Sequence, residues 1–145
     1  MRYHSRLPVL LPALALLSCG GDGDSNNTPA SAELGREYLI GYGETIEVDS
    51  LSLEFSTLAE ESRCPASAIC VWEGNARILL TLVKGRTTAV VELNSSSRFQ
   101  TFAVFEGYYV SLRNLAPYPA TPSTPLPQNY TATVFVDGHV APASN

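Results

Sequence analysis

From residue 37 onward, apolar and polar side chains alternate with a period of two, and no other feature limits the fold of this chain so strongly. In LSLEFSTLAE (51–60), Leu51, Leu53 and Phe55 point one way and Ser52, Glu54 and Ser56 the other. That is the pattern of a half-buried antiparallel strand. The same alternation predicts strands at 37–43, 44–49, 69–84, 87–94, 99–105, 108–115 and 130–138. Lys84-Gly85-Arg86 and Glu106-Gly107 read as hairpin turns, and Ser95 to Ser97 as a polar break. No segment sustains an apolar period of three to four residues, so little or no helix is expected. Seven to eight short strands over residues 36–140 predict one all-β domain, an antiparallel β-sandwich or small barrel of immunoglobulin-like size.

Within 69–84, Cys70, Trp72, Ala76, Ile78, Leu80 and Leu82 share one parity, with Gly74-Asn75 as a bulge or kink. This reading puts Cys70 and the single tryptophan, Trp72, on the core side of one long strand.

The chain ahead of this domain is built differently. Arg2 and Arg6 precede LPVLLPALALL, an apolar run too short to span a bilayer as a stable helix. It ends in LLSCG, with Leu16 at −3, Ser18 at −1 and Cys19 at +1. This is the lipobox of bacterial lipoproteins: small residues at the peptidase cut and a thiol free to receive lipid. Residues 1–18 are therefore expected to be a signal peptide, and 19–35 a lipidated Cys19 with a flexible tether, GGDGDSNNTPASAE having almost no apolar bulk. Buried acyl chains contribute about 0.8 kcal/mol per methylene, so two or three of them hold firmly. Gly20 after the cysteine resembles the outer-membrane sorting pattern of a Gram-negative cell. Residues 141–145 are expected to form a disordered tail.

The nine basic residues include Arg2 and Arg6, so the processed chain keeps seven against fourteen acidic ones, a net charge of −7. No basic cluster remains, which argues against nucleic acid as a partner. Anionic headgroups repel such a domain, which suits a module held off the membrane by its tether.

Of three cysteines, lipid takes Cys19. Cys64 and Cys70 are an even pair in an exported chain, and a disulfide is expected. Their spacing is not the C-x-x-C of thiol oxidoreductases. With His139 as the one histidine left after processing, no zinc or copper site and no cofactor is expected. Packed beside a buried Trp72, the disulfide would fix the core and clip the loop RCPASAIC to the longest strand. The alternative is that the clipped loop 63–70 is displayed, as in protease inhibitors, with Arg63, Pro65, Ile69 and Glu73 as contacts. Ala66, Ser67 and Ala68 offer it little binding area.

Residues 61–76 resemble a diffuse group of short bacterial secreted proteins and lipoproteins. The signature is acid-S-R-C-P-x4-C-x-W-x-G-x-A, here Glu61, Ser62, Arg63, Cys64, Pro65, Cys70, Trp72, Gly74 and Ala76. A later L-x-x-L-x-P-Y-P (Leu112, Leu115, Pro117, Tyr118, Pro119) and a final aromatic-apolar strand, Tyr130 to Val136, extend the likeness over most of the processed chain. The resemblance implies an all-β fold and brings no activity with it. The proline-rich insertion after Pro119 departs from the group.

The remaining polar residues give weak chemical signals. Glu60, Glu61 and Glu73 flank the clip, and two carboxylates can serve glycoside hydrolysis at the right separation. Arg63 can pair with Glu61 or Glu73 and lock the loop, or bind an anion; the acidic surroundings favour the lock. No G-x-S-x-G stands at a strand-to-helix turn, and His139 lies near the C-terminus, so a serine triad is not expected. Tyr108, Tyr109, Tyr118 and Tyr130 cluster in the last third, and Tyr108, Tyr118 and Tyr130 form a candidate aromatic surface. The proline-rich connection 116–128 is expected to run extended and cover a sheet edge. The expectation is a non-enzymatic, membrane-anchored envelope module that binds a protein, peptide or glycan. The alternatives are an inhibitor using loop 63–70 and a hydrolase using Glu61 and Glu73.

Overall fold

The structure, a computed structural model, describes residues 32–123 and 125–138. Cys19, the signal, most of the tether, His139 and the tail lie outside the described residues. Eight strands run β1 (Arg36–Gly41), β2 (Thr45–Val48), β3 (Leu51–Glu61), β4 (Ala76–Lys84), β5 (Thr87–Asn94), β6 (Phe102–Phe105), β7 (Tyr108–Ala116) and β8 (Thr131–Gly138). They form two four-stranded antiparallel sheets in the orders β2-β3-β4-β5 and β1-β8-β7-β6. The all-β sandwich expected from the period-two pattern is therefore present. A single 3-10 turn, Pro127–Asn129, is the helical element among the described residues.

Alternation explains the layering. Leu51, Leu53 and Phe55 of β3, Ile78, Leu80 and Leu82 of β4, Val110 of β7, and Val134 and Val136 of β8 are all completely buried between the sheets. Their neighbours in sequence face outward. Two-residue hairpins set the register: Gly85 opens the β4–β5 turn at φ 59°, and Glu106-Gly107 turns β6 into β7 with φ 48° and 85°.

The connections sort to opposite ends. One end holds the two hairpins, the β2–β3 turn and the chain entry, where Ala32 bridges Val48. There the Tyr108 hydroxyl donates to the Asp49 carboxylate and meets Ser50 Oγ at 2.8 Å, joining the sheets. The other end gathers the β3–β4, β5–β6 and β7–β8 connections, and the disulfide lies there.

Two expectations need correction. Residues 69–75 are not strand: β4 begins at Ala76. Gly74 sits at φ +75°, and the extended parity stops there. Trp72 is accordingly 38% exposed, outside the core, and Cys70 is exposed. The proline-rich connection has the clip as its partner rather than a sheet edge. Ala66 N donates to Pro119 O at 2.9 Å, and Ser67 N to Ala120 O at 3.2 Å.

Candidate functional site

The end of the sandwich that carries the disulfide is the most elaborately bonded part of the molecule. The disulfide expected between Cys64 and Cys70 is present. Arg63, two residues beyond the end of β3, turns inward and is only 7% exposed. Its Nε donates to Glu61 Oε1 at 2.9 Å, and its Nη2 donates to Glu61 Oε2. Both side chains are almost wholly buried. Nη1 donates to Leu115 O at 2.6 Å and Nη2 to Pro117 O at 2.9 Å, so the guanidinium ties the end of β3 to the end of β7. The Tyr118 ring lies 5.0 Å from the guanidinium carbon, and its hydroxyl donates to Cys64 O at 2.8 Å. Arg63 is thus the lock, with Glu61 as its counter-ion.

The returning segment ahead of β4 is fitted to this lock. Ser62 N donates to Asn75 O at 2.7 Å and Cys64 N to Glu73 O at 2.8 Å, with Gly74 between them. A Cβ on Gly74 would stand 1.9 Å from Ser62 O, so the close approach and the positive φ both demand glycine. Asn75 is buried and donates to Asn94 Oδ1 at 2.9 Å, while its own Oδ1 accepts from Ser96 N. Tyr130, 1% exposed, lies beneath this cluster. Burial, and then the Glu61 carboxylate, raise its pKa.

Above the lock is an open cleft of about 220 Å³, lined by Glu73, Gly74, Ser96, Arg113, Asn114 and Tyr118, with Arg63 at its base. Ser96 Oγ donates to Glu73 Oε1 at 2.9 Å, and Arg98 Nε stands 3.7 Å from the same oxygen. The Glu73 pKa is lowered, chiefly by its own backbone amide, then by the Ser96 hydroxyl, with Arg98 adding to it. Glu73 is thus an ionised acceptor. Its surroundings do not hold that carboxyl protonated for acid catalysis.

The displayed part of the clip is apolar. Ile69 and Val71, on either side of Cys70, are exposed along their full side chains. Arg98 covers part of Trp72, at 5.7 Å from the ring centroid. Pro65 closes a turn, accepting from Ala68 N at 2.9 Å. The four proposed contacts therefore separate: Ile69 and Glu73 face solvent, Pro65 shapes the loop, and Arg63 is internal.

The expected aromatic surface is corrected. Tyr108 and Tyr130 are core residues, 4% and 1% exposed, and of the three only Tyr118, at 53%, is on the surface. Both buried rings sit at inward positions of the alternation. An aromatic stripe that sequence reasoning missed crosses the outer face of the second sheet: Phe102 stacks on Tyr109 at 5.2 Å, and Tyr109 meets Phe135 edge-on at 6.5 Å. Outward parity at 102, 109 and 135 was the available signal.

Compared with known proteins, the chain matches no family model, no curated protein and no solved structure.

Proposed function

We propose that this chain is a non-enzymatic cell-envelope lipoprotein, anchored through Cys19, whose β-sandwich binds a partner through its disulfide-clipped end. The observation that carries the reading is the full exposure of Ile69 and Val71 on a loop held by a disulfide and by bonds to Pro119 and Ala120. Water-exposed branched aliphatic side chains gain nothing for the isolated fold, whereas on a rigid loop they enter a partner's pocket with little loss of conformational entropy. The direction of display supports it. The chain enters the sandwich at Ala32, at the end opposite the clip, so an anchor upstream of Ala32 attaches where it leaves the clip uncovered.

A photo-crosslinking residue at position 69, with a second at Arg86 in the opposite hairpin as control, tests this in intact cells. One protein species captured from 69 and not from 86, and lost when Val71→Ser is added, is the expected result. Equal capture from both positions overturns it. Fatty-acid labelling of the wild type but not of Cys19→Ser tests the anchor.

The exposure of Ile69 beside Cys70 also favours one second reading, in which the loop occupies a peptidase's specificity pocket. Inhibition of a peptidase with aliphatic preference, abolished by Ile69→Asp, marks that case. Turnover on a glycan or ester panel, lost in Glu73→Gln, marks a hydrolase instead.

A further inference from the structure

Three of the four sheet edges are short or guarded. β2 and β6 have four residues each, and Ala32 bridges Val48 of β2. β1 opens on Arg36 and Glu37, which pair with Glu33 and Arg113. The fourth edge, β5, has eight residues, TTAVVELN, with no proline, no bulge against β4 and one charge, Glu92. Natural edge strands usually carry charges, prolines or bulges that prevent pairing with another chain.

The direction of its backbone groups follows from two bonds. Ser95 N donates to Ala76 O at 2.9 Å, so Ala76 and Ser95 face each other as a hydrogen-bonded pair. Strict alternation then turns the N–H and C=O of Thr88, Val90, Glu92 and Asn94 away from β4. Asn94 N confirms the phase, donating outward to Gln100 O at 2.9 Å. The N–H and C=O groups of Thr88, Val90 and Glu92 have no partner among the described residues. Val90 is 62% exposed, and Ala89 and Val91 lie half-buried at the same open side of the core.

We propose that β5 is a self-pairing edge that receives β5 of a second copy of this chain, antiparallel, about a two-fold axis at Val90. In this register Val90 faces its own symmetry mate and Thr88 faces Glu92 of the other copy. All three free residues form hydrogen-bonded pairs that exchange two bonds each. On the outer face Val90 packs on Val90, and the Thr88 hydroxyl reaches the Glu92 carboxylate. On the inner face Ala89 meets Val91 and covers the open flank of the core. No like charges oppose each other. Shifting the axis to Ala89 or Val91 brings in turn residue Arg86 or the occupied Asn94 and loses backbone bonds. This self-complementarity favours a second copy over an unrelated extended peptide.

The test is sedimentation velocity of the full chain over a concentration series, in density-matched detergent. The wild type is expected to show a concentration-dependent dimer. Val90→Lys places like charges in contact and should raise the dimer Kd at least about tenfold. Val90→Pro removes an N–H that β4 does not use, so it should leave the monomer folded and abolish the dimer. Equimolar Val90→Lys and Val90→Glu should restore a mixed dimer, seen by native mass spectrometry. A wild type that stays monomeric throughout, a dimer indifferent to Val90→Lys, or no mixed dimer from the charge pair would each overturn the proposal.

Discussion

Removing Arg63 should cost more than any other single change at the clipped end of this domain. Arg63→Ala leaves the Glu61 carboxylate buried without its counter-ion and takes the donors from Leu115 O and Pro117 O. Breaking a buried ion pair by deleting one partner costs about 3 to 5 kcal/mol. Domain stabilities are roughly 5 to 15 kcal/mol, so the loss is a large share of the whole. At about 4 to 8 °C per kcal/mol for a domain of this size, the melting temperature should fall by roughly 12 to 40 °C. The assay is thermal and urea unfolding by circular dichroism, with the m-value checked to keep the transition two-state. The double substitution Arg63→Met with Glu61→Leu supplies the internal control. Apolar groups of similar volume avoid the desolvation of both charges, so the double variant should be at least about 1 kcal/mol more stable than Arg63→Ala. If Arg63→Ala costs under about 1 kcal/mol, or the double variant is as unstable as the single one, the ion pair is not what holds the clipped end.

The other expectations follow from the same contacts. Gly74→Ala should cost about 2 kcal/mol or more in urea unfolding, because its Cβ would meet the Ser62 carbonyl at 1.9 Å and φ is +75°. Gly85→Ala, with open space around it, should cost less than Gly74→Ala. Reduction of Cys64–Cys70 should lower stability by about 2 to 2.5 kcal/mol, read as a lower melting temperature, since the closed ring is small. Asp49 has a pKa lowered chiefly by the Tyr108 hydroxyl and then by the Ser50 amide. Its contribution is therefore present above its ordinary pKa of 3.8 and lost as pH falls through the folded value. Asp49→Asn should flatten the acid limb of a stability-against-pH curve.

What could be read in advance was whatever a period of two encodes. The strands containing Leu51, Leu53 and Phe55, and Ile78, Leu80 and Leu82, fall where alternation puts them, because burying one face of each settles register and layer together. The pairing of Cys64 with Cys70 and the lock by Arg63 were also legible, the first from the cysteine count and the second from local charge. The reading failed where a single backbone conformation resets the parity. Gly74 at φ +75° ends the extended run, so Trp72 is not carried into the core with Ile78. The tyrosines failed for a related reason. A tyrosine in a strand is amphipathic, and its parity decides whether it is core, as at Tyr108 and Tyr130, or surface, as at Tyr109. The cleft was not legible, since it joins Glu73 and Ser96 from two connections with Asn114 of β7, and their meeting depends on the sheet order.

The polar investment at the clipped end is unequal to what a fold of this size requires. The opposite end is closed by two-residue hairpins and the contact of Tyr108 with Asp49 and Ser50. The clipped end uses a disulfide, a buried ion pair, a glycine that admits no side chain and paired asparagines, all within connections and the strand ends beside them. Buried ion pairs are poor stabilisers relative to apolar packing, but they hold one geometry, because every displaced partner leaves an uncompensated group. A loop so constrained loses little entropy when it docks. The groups left over on its outer side are Ile69 and Val71, which contribute nothing to the lock. Rigidity concentrated beneath exposed aliphatic side chains is the arrangement that favours binding. Relaxing it while leaving the tip chemistry intact, by reducing the disulfide, should therefore weaken capture from position 69 even at temperatures where the sandwich stays folded.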